Sequence, residues 1–366
     1  MILVSIVGDF YSSVLPIFYE FKDRIHTHII IYDDFKNDVV HAGKIINGTL
    51  DFAKKHSLNI QSYAVKMDED SFEAIHKLVK IIDTYVTNDE ELIINITDGL
   101  ANIGVILSNA FLPRGSKILT YDRYDNEYNI LTKDTMQKHK ILSCTPIREH
   151  FLLKNIHIDA INDKQFALTH EAAIIHLFEN HASELKNFAN YLMKTKVPSF
   201  KNYHLLLKPL TAMGVHDANM KEKQMFITGG LFEYYIFLKI KDLIYDDIEI
   251  GVSVKHYYDA TNFIPNEFDI LIMRDNHLHM IECKFTKNVS LDGLVYKYMA
   301  LQNLLDDDSK IIMVTGHEQF KPNLAGANTL EHLPHKRAKI SRMLLLGNPL
   351  EQIDNFVEEV KNFLAL

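Results

Sequence analysis

Cysteine is nearly absent: Cys144 and Cys283 are the only two in 366 residues, and they lie far apart in sequence. Neither a disulfide framework nor a cysteine zinc cluster can be built from them, and a reducing cytoplasm is the expected home. Long apolar runs are also missing. None approaches the ~20 residues needed to cross a bilayer, so no membrane partner is expected. The start, Met1 to Phe10, is apolar but lacks a basic leader and a cleavage site, and reads as a strand rather than a signal peptide. Positive charge is not in excess: 39 Lys and Arg stand against 48 Asp and Glu, a formal net charge of −9. That argues against a passive nucleic-acid coat, but not against an enzyme that meets nucleic acid through a local basic patch and a metal. There is no phosphate loop of the Walker type and no G-x-G-x-x-G, which argues against an ATPase or a dehydrogenase. The 19 histidines show no ligand spacing of the H-E-x-x-H kind, which argues against zinc. Internal repeats and low-complexity tracts are absent as well.

What is present is the composition of a soluble globular protein, 47% apolar and 24% charged, long enough for two domains and a small third element. Up to about residue 125, buried-type strands at Met1–Val7, His28–Tyr32, Ile60–Val65, Glu91–Ile96 and Lys117–Tyr121 alternate with helical patterns near 38–56, 70–87 and 100–111. This order predicts a mainly parallel sheet covered on both faces. Such sheets bind ligands beyond the carboxyl ends of their strands. Those ends carry Gly8-Asp9-Phe10-Tyr11-Ser12 and Asn95-Ile96-Thr97-Asp98-Gly99. Residues 146–215 read as a helical connector, with a helix over His170–Leu192 and interruptions at Pro198 and Pro209. A second α/β unit follows, with a helix at 230–244, strands near 248–254, 267–273 and 277–285, a helix at 291–305 and a strand at 310–315. After a long irregular stretch come a strand at 342–346 and a helix at 349–364. The expected domains are thus 1–145, 146–215 and 216–366.

The chemistry concentrates in Asn266-Glu267-Phe268-Asp269-Ile270-Leu271-Ile272-Met273 and, after a turn at Asp275-Asn276, in His277 to Phe285. The turn is a hairpin signal. A hairpin centred there sets Asp269 opposite Glu282 and puts Glu267, Asp269, Glu282 and Lys284 on one face. Like charges directly opposite in a sheet are destabilising. Two carboxylates held there call for a cation, and a hard divalent ion suits oxygen ligands. Lys284 can steady the charge that develops at phosphorus or position the attacking water. Glu233 shares a helical stripe with Ile236, Phe237 and Ile240, a costly place for an acid unless it is paired or metal-bound. Three acids and a lysine suit metal-assisted phosphodiester hydrolysis. Glu267 reads as a strand-edge residue and Cys283 as a core thiol on the opposite face.

Asp269, Glu282-Cys283-Lys284 and the preceding Glu233 resemble the PD-(D/E)xK nuclease superfamily, with Phe268 where the proline would stand. Asn266-Glu267-Phe268-Asp269 and Tyr296-Lys297-Tyr298 resemble one branch of it, the CRISPR ancillary nucleases that join an N-terminal CARF sensor domain to a C-terminal nuclease. The resemblance implies an α/β fold: a Rossmann-like CARF domain plus a restriction-endonuclease-like domain, joined by a helical connector. It further implies Mg²⁺ or Mn²⁺ on Asp269 and Glu282, with Glu233 completing the site, Lys284 catalytic and Lys297 near a phosphate. For the sensor half it implies a homodimer binding cyclic oligoadenylate through Gly8, Asp9, Phe10, Ser12, Asn95, Thr97, Asp98 and Gly99. The lysine that the family often carries in the second loop is absent here. The resulting expectation is a nuclease of type III CRISPR defence, activated by cyclic tetra-adenylate and cleaving single-stranded DNA or RNA, or nicking supercoiled DNA. One rival reading is a constitutive repair or restriction-type endonuclease whose first domain only dimerises. The other is a non-enzymatic regulator with a dead nuclease fold.

The stretch Gly316–Ser341 reads as an irregular loop. From Lys310 to Arg342 there are six Lys or Arg against two acids. A local basic segment in an acidic chain fits a phosphate backbone. Lys336, Arg337 and Lys339 are its candidate contacts with nucleic acid.

Overall fold

A computed structural model describes the chain except residues 9–12, 34–35, 68–70, 88–89, 100, 195–202, 216–219, 244, 258–262, 286–290, 302–304, 306–308, 317–332, 348–352 and 365–366. Asp9, Phe10 and Ser12, and most of the basic stretch after Gly316, therefore lie outside the described residues. The chain divides into two units. One comprises Met1–Ile158 with His256–Phe263 and Met273–His277; the other comprises Asp159–Lys255, Ile264–Ile272 and Leu278–Leu366.

The first unit runs β1 (Ile2–Val7), α1 (Leu15–Phe21), β2 (Thr27–Tyr32), α2 (Lys36–Lys55), β3 (Gln61–Lys66), α3 (Phe72–Asp83), β4 (Leu92–Asn95), α4 (Ala101–Phe111), β5 (Lys117–Asp122), β6 (Glu127–Leu131), β7 (Met136–Lys140) and α5 (Ile147–Leu153). Its sheet has the order β3-β2-β1-β4-β5-β6-β7. The first five strands are parallel and the last two antiparallel. The central strands β1, β2 and β4 are buried on both sides because helices cover both faces, whereas the edge strand β3 is mostly exposed. Leu3, Val7, Ile30 and Ile93 pack with α1 and α2, whereas Val4, Ile6, Ile29 and Ile94 pack with α3 and α4. Helix α2 buries Ala42, Ile45, Phe52 and Ala53 along one stripe. Ser71 caps α3 by accepting the Ala74 amide at 3.2 Å. The strand order reverses between β1 and β4, so a crevice opens beyond their carboxyl ends.

The second unit runs from β8 (His157–Ala160), whose first two residues belong to the first unit, through α6 (Lys164–Thr169), α7 (Glu171–Asn180), α8 (Ala182–Lys194), α9 (His204–Ala212), α10 (Met220–Met225) and α11 (Leu231–Ile240). It continues with β9 (Asp247–Tyr257), β10 (Phe263–Arg274), β11 (His277–Lys284), α12 (Leu291–Leu301), β12 (Ile311–Thr315), α13 (Leu333–Ile340), β13 (Met343–Gly347) and α14 (Ile353–Leu364). The sheet order is β13-β12-β11-β10-β9-β8. Ile270, Ile272, Ile281 and Cys283 form one core with Phe178, Phe188, Phe232, Ile236 and Phe356. That places Cys283 among apolar side chains, away from its neighbours Glu282 and Lys284.

Three local readings are corrected. His170–Leu192 is two helices, broken at His181. Pro209 sits inside α9, where burial of Leu206 and Leu210 outweighs the lost amide. Residues 333–340 are helical rather than irregular: Pro334 falls in the first turn, where its missing N–H costs nothing.

Candidate active site and sensor pocket

The two-residue turn between β10 and β11 has Asp275 at φ 50° and Asn276 at φ 63°. Positive φ at both centres is what a type I′ hairpin needs, and Asp and Asn tolerate it. Asn276 is also anchored: its Oδ1 accepts the Thr145 amide at 2.8 Å, and its Nδ2 donates to the Ser143 carbonyl and to Asn126 Oδ1, each at 3.2 Å. The hairpin therefore has a pinned end, and strand alternation carries its polar face to the middle of the sheet.

There the acids meet. Asp269 is 8% exposed and Glu282 1% exposed. Asp269 Oδ2 accepts the Cys283 amide at 2.7 Å. Lys284 Nζ lies 3.5 Å from the same oxygen and forms an ion pair with Glu282 Oε1. Burial, then the Glu282 charge, lifts the Asp269 carboxyl to about 7. Burial, then the charges of Asp269 and Glu267, lifts Glu233 on α11 to about 8. Burial works against the Lys284 ammonium, but Asp269 and Glu282 outweigh it and hold Lys284 above the usual lysine range. Glu267 is exposed and acts on this cluster through its charge.

Helix α12 adds two residues. Lys297 Nζ lies 3.9 Å from Glu282 Oε1 and 3.0 Å from the Tyr298 hydroxyl. Tyr298 is fully buried, and its phenol is held well above the usual tyrosine range by burial, then by the Glu282 charge and a hydrogen bond to it. The sequence marks Lys297, but Tyr298 reads there as an apolar core position. Among α13 residues, Arg337 stacks over Tyr296 of α12 with its guanidinium carbon 5.1 Å from the ring centre, while Lys336 and Lys339 are exposed. A π-helical turn, Phe226–Gly230, immediately precedes α11 and Glu233, a local deviation often found at functional sites.

The carboxylates fit a divalent metal. Glu282 Oε2 is buried with no hydrogen-bond partner among the described residues, and Asp269 and Glu233 are raised first by burial and then by neighbouring carboxylates, both of which a bound cation would offset. Among the described residues no three His, Cys, Asp or Glu side chains form a ready-made cluster.

In the first unit the two crevice loops touch. A Cβ on Gly8 would stand 2.5 Å from Asp98 Oδ1, and Ser13 Oγ donates to Asp98 Oδ2 at 3.2 Å. Asn95 is fully buried: its Nδ2 donates to the Ser13 carbonyl at 2.8 Å, and its Oδ1 accepts from the Thr97 amide and hydroxyl. Thr97 Oγ1 accepts the Tyr121 amide at 2.8 Å. Gly99, at φ 86°, leaves no room for a side chain, since a Cβ would meet Ile6 at 2.3 Å. Asn95 and Gly99 thus shape the loop, while Thr97 and Asp98 line a cavity of about 480 Å³ together with Ser13, Tyr121, Arg123 and Tyr124. Arg123 and Tyr124 are outside the set that the sequence singles out. Tyr124 is 70% exposed, and the Arg123 guanidinium carbon lies 5.2 Å from its ring centre. The only hint in sequence is their place in the turn after the fifth strand.

Residues 220–321 match the family described as Card1-like, endonuclease domain. The fold resembles protein VC1899 from Vibrio cholerae, with TM-score 0.74 and 18% identity over 99% of this chain and 98% of that one. It also resembles Can2 from Sulfobacillus thermosulfidooxidans in complex with cyclic tetra-adenylate, with TM-score 0.66 and 13% identity over 98% of each chain. A type III CRISPR defence DNA nuclease activated by cyclic oligoadenylate matches with TM-score 0.53 and 11% identity, over 87% of this chain and 45% of that one. No curated protein matches. No described helix is long and apolar enough to cross a membrane. Asp269, Glu282, Lys284 and Lys297 all fall inside the segment that matches the Card1-like endonuclease domain, and the chain as a whole shares the fold of VC1899 and of Can2.

Proposed function

We propose that this protein is a metal-dependent nuclease of type III CRISPR defence, switched on by cyclic tetra-adenylate bound in the first unit of a homodimer. The observation that carries the nuclease reading is the Asp269–Glu282–Lys284 face inside a segment matching an endonuclease family. Bound Mg²⁺ or Mn²⁺ would polarise the scissile phosphate and lower the pKa of the attacking water. Asp269 and Glu282 hold the ion, with Glu233 beside them. Lys284 stays protonated and places its ammonium where negative charge grows on the phosphorus oxygens. Lys297 offers a second cation to a neighbouring phosphate. Tyr298 fixes the Glu282 carboxylate by a hydrogen bond. The basic face of α13, with Arg337 stacked on Tyr296, continues this side of the site toward a nucleic-acid backbone.

For the sensor, the crevice cavity lined by Thr97, Asp98, Arg123 and Tyr124 supports a nucleotide ligand, as do the ligands named for the Can2 and type III neighbours. Asp98 suits ribose hydroxyls or adenine amines. Arg123 supplies the cation that the loop itself lacks, and Tyr124 offers a face to a base. A two-fold cyclic ligand is read naturally by a two-fold dimer. The ligand activates to the extent that it binds the active arrangement more tightly.

The test is cleavage of single-stranded DNA, single-stranded RNA and supercoiled plasmid with Mg²⁺ or Mn²⁺, with linear or cyclic oligoadenylates of several ring sizes, or with none. Cleavage only with metal and cyclic tetra-adenylate is expected. Full activity without nucleotide would establish the constitutive endonuclease instead, and no cleavage under any condition would leave a regulator with an inactive nuclease fold.

A further inference from the structure

Helix α12 turns three faces to its surroundings within three residues, since successive side chains on a helix stand about 100° apart. Tyr298 is fully buried and hydrogen-bonded to Glu282. Lys297 is next round the helix, with its Nζ 3.9 Å from Glu282 Oε1. Tyr296 comes last, on the side away from Tyr298, and is 54% exposed. Met299, three residues on, is its neighbour on the helix surface and is exposed as well. An aromatic ring and a thioether thus stand in solvent beside the lysine that meets the acid cluster.

Helix α13 packs on α12 and holds this ring. The Arg337 guanidinium carbon lies 5.1 Å from the Tyr296 ring centre, a cation–π contact that covers one face of it. Ile340, three residues after Arg337, is exposed in turn. Exposed apolar side chains scattered singly call for no explanation. Here they are grouped: Tyr296 and Met299 are surface neighbours on α12, and Arg337 and Ile340 stand in the same relation on the helix packed against it. Lysines alone would suit any phosphate backbone, because charge carries no information about the bases. An exposed aromatic ring set among cations suits a base, and proteins that hold an unpaired strand combine these two features.

We propose that Tyr296 is a specificity-determining residue that stacks one base of the bound strand, next to the phosphate at Lys297. The proposal rests on the nuclease reading above, and goes beyond it by assigning a base contact where that reading has only phosphate contacts. Its test uses the full chain carrying Glu282→Gln to stop cleavage, or Asp269→Asn should that variant not fold, with cyclic tetra-adenylate present. The probes are a fluorescein-labelled single strand, as DNA and as RNA, and the same sequence as duplex DNA, read by anisotropy. A further set of strands, of whichever kind binds tighter, has one base at a time replaced by an abasic spacer. Tyr296→Leu keeps an apolar side chain and removes the ring, while Tyr296→Phe keeps the ring; thermal melting checks that each folds. Tyr296→Leu should weaken the intact single strand about ten-fold and leave its salt slope and duplex binding unchanged, since no phosphate contact is lost. Tyr296→Phe should bind as its parent does. One abasic position should cost the parent the same factor and cost Tyr296→Leu nothing further, the coupling that direct contact requires. Parental affinity of Tyr296→Leu for the intact strand overturns the proposal, and so does an equal cost of every abasic position in both proteins. A parent that binds no strand overturns the nuclease reading as well, whereas base-coupled binding by a protein whose wild type never cleaves would overturn that reading alone.

Discussion

The hairpin face and the crevice loop are both polar clusters at strands, but they are satisfied in opposite ways. In the crevice loop each inward polar group finds a protein partner: Asn95 meets Ser13 and Thr97, Thr97 meets Tyr121, and Asp98 meets Ser13 and the Gly99 amide. On the hairpin face Glu233, Asp269 and Glu282 repel one another, and Glu282 Oε2 is buried without a partner among the described residues. The first arrangement is a preformed scaffold that a ligand can lean on. The second is incomplete by itself and gains most from what binds it, because a buried unsatisfied oxygen costs about 1–3 kcal/mol and like charges add to that.

The hardest way to break the contrast is to remove the hairpin charges. Glu282→Ala or Lys284→Ala should lower the cleavage rate at least ~10²-fold while nucleotide binding, read by calorimetry, stays as in wild type. Wild-type cleavage in either would remove the proposed site. At the crevice cavity of the first unit, Tyr124→Ala should weaken cyclic tetra-adenylate by about 1–3 kcal/mol, the usual worth of stacking a base, and raise the concentration for half-maximal activation accordingly. An unchanged activation curve would take Tyr124 out of the ligand site. Neutralising Lys336, Arg337 and Lys339 together should weaken substrate binding several-fold and reduce its salt slope by about two, with ligand affinity unaltered. An unaltered slope would leave α13 with no part in holding nucleic acid.

The smallest effect sharpens the comparison through pH. Asp269 and Glu233 have folded pKa values, about 7 and about 8, raised above those of an unfolded chain. Their contribution to stability is therefore complete below about pH 4 and is lost as the pH rises through 7 and 8. Without metal, the melting temperature should fall by a few degrees between pH 5 and pH 8, about 2–4 °C per kcal/mol. Glu233→Gln or added Mn²⁺ should blunt that fall. An equal fall in the wild type, the variant and the metal-loaded protein would show that these acids do not repel one another.

Much of this was legible locally. A strand has a period of two and Asp275-Asn276 marks a turn, so the common face of Asp269, Glu282 and Lys284 follows from a few adjacent residues. Glu233 could be read from the helical stripe of α11 in the same way. The β6–β7 hairpin could not: Met136-Gln137-Lys138-His139-Lys140 has no apolar alternation, and only the ladder to β6 and β5 makes it a strand. Helix α13 was hidden because its basic run shows no apolar period.

Composition and short-range periodicity thus determined the parallel sheet of the first unit, the β10–β11 hairpin and the acidic character of its face, because those depend on residues within a turn or a strand of one another. The tertiary structure alone decided that Tyr298 hydrogen-bonds Glu282, that Arg123 and Tyr124 join Thr97 and Asp98, and that Gly48 lets α2 lie against α5. Each of these joins side chains from separate elements, and no local pattern records which side chains packing will bring together.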